Sequence, residues 1–287
     1  MNEVAFAPTL FIVGFPKCGT SSLHHWLDAH PELQGSTPKE TFFLVPQKCW
    51  KYNSNNYEKY GFSGYKDFFP NSDLSKIRFE SSAPYVYYSE VLDVISLIPD
   101  AKILVVVRDP VDRLYSTYKY FSNNNYIEGS SISFLEYFEL SKDNGLSTGH
   151  ELFDYGVKHS KYSEYLPAWL ALGEKIKVLS FSEINDNPAS LMKDISGWLS
   201  IDPSFYSTFS FAVKNKTVEV KNKKVHKMVR WISSVLPKGS WRNYFIKIYK
   251  FINFEKSEKF LSDSTIDKVK KYYQEEYAFL SRIGINL

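Results

Sequence analysis

The stretch Leu10–Leu23 reads LFIVGFPKCGTSSL, and it decides the fold. The β-branched and apolar residues of Thr9–Val13 predict a strand, and the amphipathic residues of Thr20–His30 predict a helix. Backbone N–H groups at a helix start have no partners inside the helix, and the helix dipole adds partial positive charge there. The stretch therefore predicts a loop that binds a phosphate or sulfate group between a strand and a helix.

The side chains of this loop suit the same anion. Lys17 supplies a full positive charge, and Thr20, Ser21 and Ser22 supply hydroxyl donors. A Gly-Lys-Thr nucleotide loop needs a lysine directly after its second glycine, whereas here Gly19 is followed by threonine. A kinase or ATPase of that type is therefore disfavoured. Taken alone, the stretch also fits an ordinary strand–helix turn with a surface lysine.

Composition limits the classes of protein that fit. The 287 residues can bury a sizeable core, and we expect a single domain over residues 1–287. The net charge of +3 is too weak to predict nucleic-acid binding, although a local basic site for an anion is compatible with it. The two cysteines, Cys18 and Cys49, make no disulfide framework. We interpret Cys18 as a small residue filling space in the anion loop, although an activated thiol also fits.

Targeting signals are absent from the sequence pattern. No run approaches the ~18 apolar residues of a membrane span, and the residues before the first strand do not resemble a signal peptide. A cytoplasmic location is therefore expected.

The remaining chain alternates strands with helices, which predicts an α/β fold. The apolar run of residues 101–107 indicates a strand buried on both faces, as in a parallel sheet. We expect a P-loop-like three-layer sandwich, with a central parallel sheet flanked by helices. Further strands are predicted at residues 76–79 and 176–180. Further helices are predicted at residues 89–98, 110–122, 133–140, 160–172, 188–199 and 225–236, and from about Ser264.

Local signals add detail to this outline. Residues 34–44 are predicted to be extended, and residues 46–75 to be irregular with one helix. Residues 46–75 are a candidate substrate-facing insertion. Asn187 is expected to cap the helix that begins at Pro188, and Ser264 with Asp267 resembles a capping box.

A second anion-binding group follows another predicted strand. Ligands bind at the carboxyl ends of strands in open parallel sheets, and both the Lys17 loop and Arg108 lie at such ends. If the two strands are adjacent, these residues are neighbours in space, which suits a ligand with phosphates at two places. A salt bridge from Arg108 to Asp109 or Asp112 also fits.

These motifs resemble those of sulfotransferases that use 3′-phosphoadenosine 5′-phosphosulfate (PAPS). The order Pro-Lys-x-Gly-Thr-Ser resembles their 5′-phosphosulfate loop, and Arg108 followed eight residues later by Ser116 resembles their 3′-phosphate motif. The resemblance implies that the nucleotide is bound by Lys17, Cys18, Gly19, Thr20, Ser21, Ser22, Arg108, Ser116, Lys214 and Lys216. The two last lysines would belong to a covering loop, although a run of lysines also fits a solvated face.

Two further segments resemble the heparan sulfate sulfotransferase branch and its bacterial relatives. Lys39-Glu40-Thr-Phe-Phe resembles a segment in which the glutamate is the candidate base, which implies that role for Glu40; an exposed loop glutamate also fits. Residues 80–85, ESSAPY, resemble a second segment of that branch. Ser81 stands where the branch often has lysine, and Leu44 where several members have aspartate. Both departures weaken any transfer of glycosaminoglycan specificity.

The resemblance implies in-line sulfuryl transfer from PAPS to a hydroxyl or amine of an acceptor, with 3′-phosphoadenosine 5′-phosphate as the product. Lys17 would stabilise the leaving phosphate, and Glu40 would take the acceptor proton. His25 is an alternative base, by analogy with small-phenol sulfotransferases. No metal is expected, because the six histidines lack ligand spacing.

Two other functions stay open at this point. A nucleotide kinase-like P-loop enzyme would need a Mg²⁺-binding carboxylate after a strand, for which Asp109 is the candidate. A non-catalytic module that binds PAPS or a polyanion would keep Lys17 and Arg108 but need no base. A carbohydrate is the expected acceptor, with lipid, peptide and small-alcohol acceptors as alternatives, and the sequence indicates no oligomeric state.

Overall fold

A computed structural model describes residues 3–70, 73, 75–123, 132–143, 145–212, 218–220, 222, 225, 228–229, 249, 252–256 and 261–287. The chain forms two compact units. The first unit comprises Met1–Asp109, Lys161–Asn215 and Gln274–Leu287. The second unit comprises Pro110–Ser160 and Lys216–Tyr273.

The described helices follow the strand–helix alternation of the sequence. In chain order they are α1 (Thr20–Asp28), α2 (Tyr57–Tyr60), α3 (Ser89–Ser96), α4 (Pro110–Asn123), α5 (Phe134–Ser141), α6 (Glu151–Asp154), α7 (Tyr162–Leu170), α8 (Phe181–Asp186), α9 (Pro188–Leu199), α10 (Asp263–Tyr272) and α11 (Gln274–Arg282). Short 3₁₀ helices lie at Glu3–Phe6, Gly61–Phe68, Ala83–Tyr87, Lys158–Ser160, Gly173–Lys175 and Pro203–Ser207. None of the described helices combines the length and the apolar character needed to cross a bilayer.

The first unit is built on a five-stranded sheet with the order β2-β3-β1-β4-β5 among the described residues. Its strands are β1 (Leu10–Gly14), β2 (Leu33–Gly35), β3 (Ile77–Glu80), β4 (Lys102–Val107) and β5 (Ile176–Ser180). Every neighbouring pair is parallel. Residues 103–107 of β4 are buried, as expected for a strand covered by helices on both faces. The predicted parallel sheet with flanking helices is confirmed.

Helix α1 shows why the sequence folds this way locally. Leu23, Trp26 and Leu27 lie on one face and are buried, while the positions between them carry polar side chains. The helix ends at Asp28, two residues earlier than predicted, because the residue before Pro31 is biased away from helical geometry. The strand at 176–180 and the helix at 188–199 have the predicted bounds.

The second unit contains α4, α5, α6 and α10. It also contains an antiparallel pair of strands, β6 (Val218–Val220) and β7 (Phe254–Lys256). The Arg113 guanidinium is fully buried in this unit and donates to the Gly156 carbonyl and to Ser160 Oγ. Helix α5 begins with a capping box of Ser133 and Glu136.

Four local predictions are corrected by the structure. Residues 34–44 form a strand only as far as Gly35, because hydrogen bonds within the segment and one to Ser82 hold the rest in an irregular path. Asn187 occupies the N-cap of α9, but its side chain makes no capping hydrogen bond.

The predicted final helix is two helices, α10 and α11, separated at Tyr273. Its cap is Ser262 rather than Ser264, because Ser262 accepts a hydrogen bond from the Thr265 N–H. Most of the predicted helix at 225–236 lies outside the described residues. Residues 46–75 contain α2 and the Gly61–Phe68 turn, in line with an irregular segment.

We predict that Leu104→Ala in β4 destabilises the protein by about 2–5 kcal/mol, because it leaves a cavity at a fully buried position. Urea unfolding measures this loss. Leu97→Ala is the matched control: Leu97 is 59% exposed, so its change should stay within about 0.5 kcal/mol. Equal losses for the two variants would contradict the burial of β4.

Candidate active site

The carboxyl ends of β1 and β4 lie side by side. Gly14, the last residue of β1, is in register with Val106 of β4. A Cβ atom on Gly14 would lie 2.7 Å from the Val106 backbone nitrogen, so the two strands approach closely here because residue 14 is glycine. The loops that follow the two strands therefore start from adjacent points, as the sequence predicted for adjacent strands.

The loop after β1 has an unusual backbone. Lys17 has a φ of 76° and Gly19 a φ of 93°. A left-handed backbone at a lysine stores strain, which is found preferentially at functional sites. Gly19 is the N-cap of α1 and has no side chain to accept from the first-turn N–H groups. No side chain at Gly19 caps the helix start, and anion binding there stays a prediction. Cys18 is fully buried inside this loop.

Arg108 lies directly against this loop. Its Nη1 donates a hydrogen bond of 3.2 Å to the Lys17 carbonyl, and its guanidinium carbon lies 4.4 Å from the centre of the Phe181 ring. The Tyr162 hydroxyl donates to the Arg108 carbonyl at 2.5 Å and fixes the backbone. Arg108 Nε is buried and makes no hydrogen bond within the described part of the chain. The two predicted anion-binding groups thus meet at one edge of the sheet.

Phe181, which the sequence analysis did not single out, packs between these two groups. A Cβ atom on Gly19 would lie 2.9 Å from its ring, so Phe181 contacts the loop on one side and the Arg108 guanidinium on the other. It is the first residue after β5. The sequence does carry a signal for Phe181, because this residue directly follows a predicted strand, as the Lys17 loop and Arg108 do.

Lys39 connects the predicted base to the loop. Its Nζ lies 3.3 Å from Thr20 Oγ1 and 3.2 Å from Glu40 Oε1. The side chains of Lys39 and Glu40 are 23% and 40% exposed. Burial lowers the pKa of Lys39, and the neighbouring Glu40 opposes that effect. Lys39 therefore links Glu40 to the first residue of α1. Local sequence signals could not reveal the contact with Thr20, because it joins segments that are separate along the chain.

A buried polar network fixes the segment that carries Glu40. Glu80 ends β3 and is fully buried; Tyr65 donates to it at 2.6 Å, and Thr41 and Ser82 donate to its other oxygen. Burial raises the pKa of Glu80, while these hydrogen bonds lower it in part. Tyr85 contacts Thr41 as well. Residues 80–85 thus anchor the segment that begins at Lys39.

The histidines of α1 occupy different environments. His24 Nδ1 lies 2.7 Å from Ser81 Oγ, and burial, with a smaller contribution from Lys39, lowers the pKa of His24 to about 4. His25, the alternative base, is exposed on α1. Among the described residues, no group of three or more histidine, cysteine, aspartate or glutamate side chains is arranged to hold a metal ion.

An aromatic patch, formed by Phe42, Trp50 and Lys51, lies close along the chain to Glu40. The rings of Phe42 and Trp50 meet edge to face at 6.3 Å, and Lys51 Nζ lies 4.5 Å from the centre of the Trp50 ring. Trp50 is 42% exposed. The predicted insertion of residues 46–75 thus contributes an exposed ring beside the segment of Glu40.

The remaining predicted residues are placed as follows. Ser21 and Ser22 lie in the first turn of α1. Ser116 is buried on α4, in the second unit. Lys214 and Lys216 lie outside the described residues.

A parallel sheet, with a loop and helix after the central strand β1 and an arginine after its neighbour β4, defines a P-loop-like α/β protein. A family model described as "Sulfotransferase domain" matches residues 7–280, and the chain belongs to that family. This confirms the predicted resemblance and the predicted enzyme class, and it disfavours the kinase-like alternative.

Relatives and solved structures agree with this assignment. The chain is 31% identical over 202 residues to human bifunctional heparan sulfate N-deacetylase/N-sulfotransferase 2, covering 68% of this chain and 22% of the relative. The Drosophila melanogaster bifunctional heparan sulfate N-deacetylase/N-sulfotransferase is 26% identical over 214 residues, covering 68% of this chain and 20% of the relative. The chain thus spans about a fifth of the length of these relatives.

A crystal structure of a sulfotransferase from Alicyclobacillus acidocaldarius has the same fold. Its TM-score is 0.58 at 22% identity, and the match covers 86% of this chain and 95% of that chain.

We predict that His24 makes the protein less stable as the pH falls from 6.5 to about 4. The pKa of His24 is lower in the folded state, so the unfolded state binds the extra proton in this window, and the free energy of unfolding falls by about 3 kcal/mol. Urea unfolding across this range measures the effect. His24→Gln keeps a polar side chain without the titration and should lose that part of the pH dependence; an unchanged pH dependence would refute the assignment.

Proposed function

We propose that this protein transfers a sulfuryl group from PAPS to a hydroxyl or amine of a carbohydrate acceptor. The observation that carries the proposal is the contact of Arg108 Nη1 with the Lys17 carbonyl, in a chain of the sulfotransferase domain family. The contact places an ammonium-bearing loop and a guanidinium at one sheet edge, as a ligand with two phosphate-bearing ends requires. We further propose that residues 1–287 act as one sulfotransferase domain; the family match runs through both compact units.

The described residues fit such a donor. Within the described part of the chain, the buried Arg108 Nε makes no hydrogen bond, and Gly19 at the start of α1 brings no capping side chain. Arg108 and Ser116 would bind the 3′-phosphate, and Lys214 and Lys216 would cover the nucleotide. The 5′-phosphosulfate would be held by Lys17, Cys18, Gly19, Thr20, Ser21 and Ser22. Bound PAPS supplies the sulfuryl group.

The protein's own residues supply charge and a base. Lys17 would neutralise the negative charge that grows on the leaving phosphate, as electrostatic preorganisation requires. Glu40 would accept the proton of the acceptor hydroxyl or amine, and it is partly exposed, so an acceptor can reach it. The exposed His25 stays an alternative base.

Two observations support a carbohydrate as the acceptor. The curated relatives carry heparan sulfate N-sulfotransferase in their names. The aromatic patch adds an exposed Trp50 ring and a lysine, which suit the apolar face and the acidic groups of a sugar. Ser81 and Leu44 depart from the branch pattern, so we propose a carbohydrate acceptor rather than heparan sulfate itself. The cytoplasmic location stays a prediction.

We predict that 3′-phosphoadenosine 5′-phosphate stabilises the wild type, by about 2.7 kcal/mol at 100 times its Kd, because it binds the folded state alone. Thermal unfolding and calorimetry measure this.

Lys17→Ala and Arg108→Ala should each abolish transfer, and Arg108→Ala should weaken nucleotide binding more. Lys175→Ala is the control, because Lys175 lies beside the start of β5, at the opposite edge of the sheet. A wild type that the nucleotide does not stabilise would refute the donor.

We predict that Glu40→Gln binds 3′-phosphoadenosine 5′-phosphate normally but loses turnover by about 10²–10⁴-fold, because the amide cannot accept the proton. Transfer of radiolabelled sulfate from PAPS onto N-deacetylated heparosan, desulfated chondroitin and desulfated heparan sulfate measures turnover. His25→Gln tests the alternative base and should keep turnover, because Glu40 is the proposed base. Retained turnover in Glu40→Gln would assign the base elsewhere, and a wild type that labels none of the glycans would refute the carbohydrate acceptor.

A further inference from the structure

We propose that Lys39 is a positioning residue for sulfuryl transfer, whose ammonium holds the Glu40 carboxylate at the phosphate-binding loop. The inference rests on the proposed function and adds a residue to its machinery. The sequence motif assigned a role to Glu40 alone. The structure shows that the lysine beside it makes the contact with the loop.

The geometry places one nitrogen between two functional groups. Lys39 Nζ lies 3.3 Å from Thr20 Oγ1 and 3.2 Å from Glu40 Oε1. Thr20 is the first residue of α1 and belongs to the loop proposed to hold the 5′-phosphosulfate. An ammonium has three donors, so it can serve both oxygens at once. The distance between the proposed base and the loop is therefore set by this side chain.

Burial distinguishes this ion pair from an ordinary surface pair. The Lys39 side chain is 23% exposed, whereas Lys48, which pairs with Glu90 at 2.5 Å, is 62% exposed. Burial lowers the pKa of Lys39, so the cation is kept in a poorly solvated place by its partners. An exposed pair is screened and its side chains are free to exchange partners. The less exposed Lys39 ammonium has fewer water molecules to replace its partners, which favours its contacts with Glu40 and Thr20.

The backbone of Lys39 is held independently of its side chain. Its carbonyl accepts from the Ser81 N–H at 3.2 Å and from Ser36 Oγ at 3.1 Å. Substitution of the ammonium should therefore leave the segment in place while it releases the Glu40 carboxylate. This separation makes the positioning role testable.

The chemistry explains why that position matters. During transfer, the acceptor oxygen or nitrogen forms a bond to sulfur while the bond from sulfur to the phosphate oxygen breaks. The electron pair of the broken bond leaves with 3′-phosphoadenosine 5′-phosphate. The acceptor proton passes to the Glu40 carboxylate. Lys39 is unchanged at the end of this step. Because the base must sit beside an acceptor that faces the loop, a displacement of about 1 Å costs about 10²-fold in rate.

The test is a double-mutant cycle of Lys39→Met and Glu40→Gln, measured as kcat with labelled PAPS and the glycan that the wild type sulfates. We expect Lys39→Met to lower kcat by about 10²-fold and to leave the Kd for 3′-phosphoadenosine 5′-phosphate unchanged. In the Glu40→Gln background, Lys39→Met should cause no further loss, because both act through one carboxylate. Lys39→Arg should restore part of the rate. Lys268→Met removes an exposed ion pair to Glu139, outside the proposed site, and should keep the rate.

Three results would overturn the inference: an unchanged kcat in Lys39→Met, losses that add in the double variant, or a loss that appears in the nucleotide Kd instead. If Lys39→Met does not fold, Lys39→Gln replaces it, since it keeps a hydrogen-bond donor without the charge. A wild type that binds no 3′-phosphoadenosine 5′-phosphate and labels no glycan refutes the proposed function itself. A functional wild type with an active Lys39→Met refutes only the role of Lys39.

Discussion

The parallel pairing of β1 with β4 is the constraint on which the site depends. Both strands are buried, and the glycine at the end of β1 lets the backbones approach at the edge where the loops carrying Lys17 and Arg108 begin. Two segments separated by ninety residues of sequence are therefore brought together, and Arg108 donates a hydrogen bond to the Lys17 carbonyl. The paired strands hold this contact at the end of the sheet where open parallel sheets commonly bind ligands.

The hydrogen bonds around Glu80 hold the irregular segment that carries Glu40 in one conformation. The carboxylate of Glu80 is buried without a described basic partner, an arrangement that is costly unless hydrogen bonds compensate. Tyr65, Thr41 and Ser82 supply those bonds, and Thr41 directly follows Glu40 along the chain. The same bonds that satisfy the buried charge therefore fix the residue proposed as base. Stability and positioning are achieved here by one network.

The sequence predicts those parts of the fold that depend on residues close together along the chain. The strand of residues 176–180 and the helix of residues 188–199 follow from an apolar run and from a proline at a helix start. The Lys17 loop and Arg108 were found because short motifs follow strands. The contact of Lys39 with Thr20 and the packing of Phe181 against Gly19 were not predicted, because each depends on which segments the fold brings together. The cap at Ser262 was missed because serines two residues apart offer competing caps.

The half-buried ring of Phe181 has a mechanical consequence. It touches Gly19 on one side and the guanidinium of Arg108 on the other, so it works as a wedge between the two loops. Packed interiors resist compression, so Gly19 and the guanidinium cannot approach each other where this ring lies. The ring thus limits how far the two loops can close on each other, in addition to the direct hydrogen bond from Arg108 to the Lys17 carbonyl.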